Sequence, residues 1–340
     1  MSRSAAAPST RAAKPLWASR GFIGTCILVM IVLYGVAVPQ RGTYGHFDHF
    51  AFQKTVELMD HGENYYDAFR DAFGVERDPP SEARDFRPPL PFLVWRALPY
   101  NQLYNGYLVL VVGVTSLILL FAARYPIAVV PVTLFLLIAG RIPGSPTTEE
   151  WLLAEVWTVP LIAGSLLAWK YRRWWWAAAL AALAALTREL TFPVLVMGLV
   201  LAHRRGLPRK PWLVCGGATI AALVAHFAIA AHHTVATGQE AKFFGSGEGL
   251  TSILHMVDWV LPNPEVLGLL LWVIALVYLT RHSEYWLLWP IMLVPLAGFV
   301  ANRPYWGLMF EPFMVLFAAE AVIDGFVKRS RSGSRAPAAT

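Results

Sequence analysis

The chain has 340 residues, 56% of them hydrophobic and 15% charged, and its mean hydropathy is +0.49. A soluble domain carries about 25% charged residues, so that class is excluded, and the apolar residues fall in blocks long enough to cross ~30 Å of hydrocarbon. The formal charge of +6 comes from cations placed between apolar blocks, where they signal topology and carry no nucleic-acid meaning.

In chain order, residues 1–20 are rich in Ser, Ala, Pro and Arg and read as a disordered tail. Spans are predicted at 21–38, 103–123, 126–140, 151–169, 174–186, 190–202, 211–231, 265–280, 285–301 and 306–323. The arms 174–186 and 190–202 are short for a crossing, and the cations require both. Arg3, Arg11, Lys14 and Arg20 precede the first span. Arg124, then Lys170, Arg172 and Arg173, then Arg204, Arg205, Arg209 and Lys210, then Arg281 occupy alternate loops. Lys328, Arg329, Arg331 and Arg335 mark a basic tail, 326–340. Ten crossings put all of them on one face, which the positive-inside rule makes cytoplasmic. The predicted fold class is therefore all-α, a polytopic helical bundle over 21–325 with both termini cytoplasmic. The first apolar block has no convincing cleavage site before Pro39, so an uncleaved span is expected. Cys26 and Cys215 suggest neither a disulfide framework nor a metal site.

Residues 39–101 form a long exoplasmic loop that holds ten of the 22 acidic residues. Phe47, Phe50, Phe52, Val56 and Met59 recur at helical spacing, as do Tyr65, Phe69 and Phe73, which predicts two amphipathic helices lying on the membrane surface. Arg87-Pro88-Pro89 ends them, because consecutive prolines cannot continue a helix. A second exoplasmic loop, 232–264, carries the run Gly245-Ser246-Gly247-Glu248-Gly249. It lacks the phosphate-loop pattern and reads as a hinge or a cover over substrate.

Candidate chemistry gathers on the exoplasmic side. Asp48, flanked by His46 and His49, could accept a proton from an attacking hydroxyl, or could simply cap a helix. The same three residues could hold a divalent metal, but they are too close in sequence for easy ligation, and no cofactor or metal is predicted. Arg188 and Glu189 break an apolar hairpin at its tip, so Arg188 either binds phosphate oxygens or pairs internally with a carboxylate. Arg87, Arg141 and Arg303 are further cations near span ends, where snorkelling accounts for each. Glu155 and Glu311 lie inside spans and either line a cavity or pair with an Arg. His232 and His233 could orient an acceptor or a leaving phosphate, against the plain alternative of solvated loop residues. Trp174-Trp175-Trp176 reads as an interfacial aromatic belt.

Four segments resemble the GT-C superfamily of integral-membrane glycosyltransferases, in particular the bacterial polyprenyl-phosphate-sugar-dependent, mannosyltransferase-like group. They are Phe47-Asp48-His49-Phe50 with Leu58-Met59-Asp60-His61-Gly62-Glu63-Asn64-Tyr65-Tyr66, then Arg87-Pro88-Pro89-Leu90-Pro91, Thr187-Arg188-Glu189, and Asn302-Arg303-Pro304-Tyr305 through Pro312. The chain departs from the pattern in its short length, in Arg87 where an aromatic is usual, and in Pro304 between Arg303 and Tyr305. The resemblance implies a hexosyltransferase of the cell envelope in a bacterial plasma membrane. Its donor would be a polyprenyl-phosphate-linked sugar, its acceptor a glycolipid, glycan or protein, and its outcome inversion. Asp48 would be the catalytic base, with Arg188, Arg303 and Arg87 on the donor phosphate and His46, His49, Glu155, Glu189, Glu311, His232 and His233 around the cavity. The alternatives are a transporter or flippase with Glu155, Arg188 and Glu311 on its path, and a catalytically silent member of the same fold.

Overall fold

The computed structural model describes residues 19–37, 47–76, 79–97, 104–139, 154–235, 265–299 and 307–333. Every regular element among them is helical. In order they are α1 (Arg20–Ala37), α2 (Phe47–Asp60), α3 (Tyr65–Glu76), α4 (Leu90–Ala97), α5 (Tyr104–Ala122), α6 (Val129–Ala139), α7 (Ala154–Lys170), α8 (Trp174–Thr187), α9 (Pro193–Arg204), α10 (Lys210–Ala231), α11 (Glu265–Arg281), α12 (Trp289–Met292) and α13 (Gly307–Gly333). By length and composition α10 is long and apolar enough to cross a membrane, and five further apolar helical stretches are shorter. Outward-facing Leu28, Val32 and Leu33 of α1, Leu213, Val214, Ile220 and Val224 of α10, and Leu270 and Val273 of α11 are exposed.

The tightest pairing is between α7 and α8. Ala177, Ala178, Ala181, Ala184 and Ala185 line the buried face of α8, and their small side chains let the backbones approach, the usual basis of helix association without a hydrophobic drive. Ser165 Oγ donates to the Ala177 carbonyl at 2.8 Å across this seam. The adjoining seam is equally close. Gly198 of α9 faces the indole of Trp212, a fully buried residue at the start of α10, and a Cβ at Gly198 would lie 2.1 Å from the ring.

Several short links gather the basic loops at one end of the bundle. Arg20 Nε donates to Leu120 O at 3.2 Å and Lys170 Nζ to Ala122 O at 2.8 Å, so two cations satisfy orphan carbonyls where α5 ends. Arg205 Nη2 donates to Ser283 O at 2.7 Å. Fully buried Glu320 of α13 accepts the backbone N–H groups of Arg124 and Tyr125 and the Tyr285 hydroxyl, at 2.5, 3.1 and 3.1 Å.

Two expectations are corrected. The predicted ninth span, 285–301, is not a continuous helix: Ser283–Leu288 and Val294–Phe299 are 3-10 turns flanking the single turn α12. Pro290 and Pro295 each remove a backbone donor there. The segment nonetheless climbs alongside α11, since Trp272 Nε1 donates to Met292 O at 2.7 Å. The apolar rows of α2 and α3 are also turned inward. Phe52, Val56, Met59, Tyr65 and Phe69 pack with Phe86, Phe92 and Trp95 into a second core, with Phe52 edge-on to Phe92 at 5.3 Å. These rings are buried against one another, while Phe50 of the same predicted row stays exposed. At the other end of the chain, α13 runs on as helix to Gly333, past residue 326 where the sequence places the start of the basic tail.

Gly198→Ala is expected to force the Trp212 ring from its place and lower stability by about 3 kcal/mol, the upper part of the range for overpacking. Thermal unfolding of the purified protein checks this, and Gly216→Ala in α10, where a Cβ meets nothing within 4 Å, serves as the control.

Candidate functional site

The end of the bundle opposite the basic loops holds a buried guanidinium in contact with two carboxylates. Glu155 sits in the first turn of α7, where the helix dipole favours an acid. Arg188 follows the last residue of α8 in extended conformation, its N–H donating to Ala184 O at 2.8 Å. Glu189 opens a 3-10 turn that Thr191 ties back by donating its hydroxyl to Arg188 O at 3.0 Å, and Pro193 then starts α9. This tip places the Arg188 side chain, only 1% exposed, between two carboxylates. Its Nε lies 2.6 Å from Glu155 Oε1 and its Nη1 2.7 Å from Glu189 Oε1.

The Glu189 contact is an aligned hydrogen bond. The Glu155 approach is a charge contact, with neither Nε nor Oε1 in hydrogen-bond alignment. Among the described residues, Glu189 Oε2 is buried without a hydrogen-bond partner. With both carboxylates ionised, the cluster holds two negative charges against one positive.

The aromatic unit of α2, α3 and α4 stands beside this cluster. Tyr65 donates its hydroxyl to Arg87 O at 2.5 Å. Burial pushes the Tyr65 phenol well above its usual pKa, the Arg87 guanidinium pulls the other way, and Glu189 adds to the rise, so the group stays a neutral donor. Tyr66 is stacked between the imidazoles of His226 and His233, at 5.7 and 5.4 Å. Its hydroxyl lies 3.1 Å from His226 Nδ1, and His226 Nε2 lies 3.4 Å from Phe86 O. A carbonyl only accepts, so Nε2 carries the proton and Nδ1 receives the Tyr66 hydroxyl. His233 Nδ1 lies 2.9 Å from Asp67 Oδ1, and Arg70 Nη1 lies 2.9 Å from the same oxygen. The Asn64 amide, then His233 and Arg70, hold the Asp67 carboxyl below its usual pKa, against a smaller opposing effect of burial.

The structure thus brings Glu155, Arg188 and Glu189 into direct contact, sets Arg87 beside Tyr65, and ties His233 to Asp67. His232 is exposed where α10 ends, its N–H donating to Ile229 O at 3.0 Å. Glu311 is buried in α13 beside Phe310 and Phe313. Asp48 and His49 begin α2, but their side chains lie outside the described residues, as do His46, Arg141 and Arg303 altogether. Among the described residues no group of three or more His, Cys, Asp or Glu side chains could hold a metal ion. Sequence reasoning passed over Tyr66, Asp67 and His226 as functional groups. The available signal was His226, an ionisable residue within an otherwise apolar span.

No protein-family model, curated protein or solved structure matches the chain.

Arg188→Ala is expected to destabilise the fold by about 3–5 kcal/mol, since it strands a buried carboxylate at Glu155. Adding Glu155→Leu should recover most of that loss, and chemical denaturation of the single and double variants measures both. The Asp67 tie between α3 and α10 has a defined acid limit. A lowered carboxylate pKa means its contribution is complete above the ordinary value of 3.8 and disappears as pH falls through the lower folded value. With Asp67 a third exposed, the effect is below about 1 kcal/mol. Acid titration of unfolding should show this component in the wild type and lose it in Asp67→Asn.

Proposed function

We propose that the chain is an integral-membrane glycosyltransferase, GT-C-like in architecture, that moves a sugar from a polyprenyl-phosphate donor to an acceptor hydroxyl on the outer face of a bacterial plasma membrane. The observation that carries this reading is the buried Glu155–Arg188–Glu189 cluster. It is built at a hairpin tip, next to an aromatic helical unit whose first helix carries Asp48 in its first turn. A buried cation at the end of the bundle opposite the basic loops runs against the positive-inside bias, which is the kind of exception that function explains. Ten passages, the ninth of them broken at Pro290 and Pro295, keep the basic loops cytoplasmic and this cluster exoplasmic. The exposed apolar faces of α1, α10 and α11 support the membrane placement.

Nucleotide sugars are cytoplasmic, so an outward-facing transferase needs a lipid-carried donor. Asp48 takes the proton of the acceptor hydroxyl as its oxygen bonds to the anomeric carbon. The bond from that carbon to the phosphate oxygen breaks, its electron pair leaves with the phosphate, and direct displacement inverts the configuration. Arg87 and Arg303 neutralise the departing phosphate, and Arg188 adds its charge from between Glu155 and Glu189. His232 is the free imidazole for the acceptor, because His233 is engaged by Asp67.

The test supplies purified protein in vesicles with radiolabelled polyprenyl-phosphate sugars and a mixture of envelope acceptors. Wild type is expected to transfer label, and Asp48→Ala to lose activity by about 100-fold or more. Equal transfer by both removes Asp48 from the mechanism. Movement of donor across the bilayer with no transfer would establish a transporter instead.

A further inference from the structure

The end of the bundle that carries the basic loops is built as a surface, and its geometry does not follow from the proposed reaction. Three turns meet around Trp169. The turn between α7 and α8 brings Trp174 edge-on to Trp169 at 5.1 Å, and the turn between α9 and α10 brings Trp212 to it at 5.7 Å. The third is the 3-10 turn Ser283–Leu288, joined to them by Arg205 of the α9–α10 turn, whose guanidinium lies 6.0 Å from the Trp169 ring and 5.5 Å from Trp286, and whose Nη2 donates to Ser283 O. Around this hub Arg172, Arg173, Arg204, Lys210 and Arg281 are exposed, and none has a carboxylate partner among the described residues. Just outside the cations stand Trp175 and Trp176, 52% and 68% exposed, and Leu213 and Val214.

The backbone gives a second, independent sign. Three helices end in the same motif, in which a residue in left-handed conformation is closed by two reversed hydrogen bonds. After α2 that residue is Gly62, with φ +99°, and after α9 it is Gly206, with φ +63°. After α7 it is Arg172, with φ +57°, although the bonds from Arg172 N to Trp169 O and from Arg173 N to Ala168 O are those of the other two turns. A side chain is disfavoured there and glycine is free of the penalty, so the turn alone does not account for an arginine at this place.

We propose that this face binds the headgroups of anionic phospholipids, with the unpaired cations of the α7–α8 and α9–α10 turns and Arg281 taking the phosphate oxygens and Trp175, Trp176, Leu213 and Val214 lying against the acyl boundary. Charge complementarity selects the partner. Several cations without carboxylates, next to exposed indoles and aliphatic side chains, match a ligand that is anionic at one end and apolar at the other. The proposal rests on the membrane placement and is independent of the transferase chemistry.

The full chain in neutral detergent is titrated with phosphatidylglycerol, phosphatidylcholine or inorganic phosphate, and the unfolding temperature is followed. Phosphatidylglycerol is expected to raise it saturably, and the other two to leave it unchanged. Each cation removed should weaken the apparent affinity about five-fold, the equivalent of ~1 kcal/mol per basic side chain near a lipid surface. The variant combining Arg172→Gln, Arg173→Gln, Arg204→Gln and Lys210→Gln should therefore lose the response, whereas Lys54→Gln with Arg96→Gln, at the other end of the molecule, should keep it. Arg172→Gly guards against a folding artefact, because it should unfold at a higher temperature without lipid yet respond to phosphatidylglycerol more weakly. An absent response in the wild type, an equal response to phosphatidylcholine or to phosphate, or an undiminished response in the cation variants overturns the proposal.

Discussion

A guanidinium in an apolar interior is tolerable only if opposite charge meets it, and Arg188 fixes much of this molecule on that account. At 1% exposure it requires a carboxylate within contact distance. Glu189 supplies one from the next residue, and Glu155 supplies the other from 33 positions earlier in the chain. For Glu155 to arrive, the first turn of α7 must lie against the last of α8, so the two helices run antiparallel in close register. The alanine face of α8 makes that approach possible, and the turn at Lys170 to Arg173 is short enough to hold it. Trp169, at the far end of the same hairpin, then meets Trp174 and Trp212 and extends the order to α9 and α10.

The two ends of the bundle solve the same problem of exposed helix termini by different chemistry. At the basic end, Arg20 and Lys170 donate to the last carbonyls of α5, and Glu320 receives the N–H groups that begin the next turn. These contacts neutralise partial charges on the backbone, where the helix dipole favours each sign as placed. At the other end the helix termini are covered by a separate aromatic core, and the polar groups are side chains that bond one another: Tyr66 with His226, Asp67 with His233, Arg188 with its two acids. Both arrangements leave buried polar atoms without a hydrogen-bond partner among the described residues, Glu320 Oε2 at the basic end and Glu189 Oε2 with Arg188 Nε at the other.

The periodicity of apolar residues predicted most helices to within a few positions, because burial on one side of a 3.6-residue repeat leaves a direct trace in sequence. It also gave α2 and α3 correctly, while misjudging what their apolar rows face. A row of Phe and Tyr looks the same whether it lies on lipid or on another row of Phe and Tyr, and only the partner decides. The ninth segment is broken where a continuous helix is expected for a related reason: a hydropathy window counts side chains and is blind to the two backbone donors that Pro290 and Pro295 remove. At the hairpin tip, sequence placed Arg188 and Glu189 together and offered the internal pair as one of two readings. It could not nominate Glu155 over other acids, since that pairing is a product of helix register. Arg172 was visible as a topogenic cation, but its left-handed backbone was not.

The pairing of Arg188 also constrains any chemistry placed beside it. With both carboxylates ionised, the cluster is negative, which repels a phosphate unless other cations outweigh it. Two carboxylates already contact the arginine, one at Nε and one at Nη1, so the bidentate clamp that makes arginine effective on phosphate competes with them in this arrangement. A donor phosphate would then depend chiefly on Arg87, which already stands at the edge of the aromatic core, and on cations from other loops. Arg188 would act by holding Glu189 and the hairpin tip in place. The same logic explains why the site can afford its buried charge at all. Each member restrains the next, so the geometry at the tip is set before any ligand arrives.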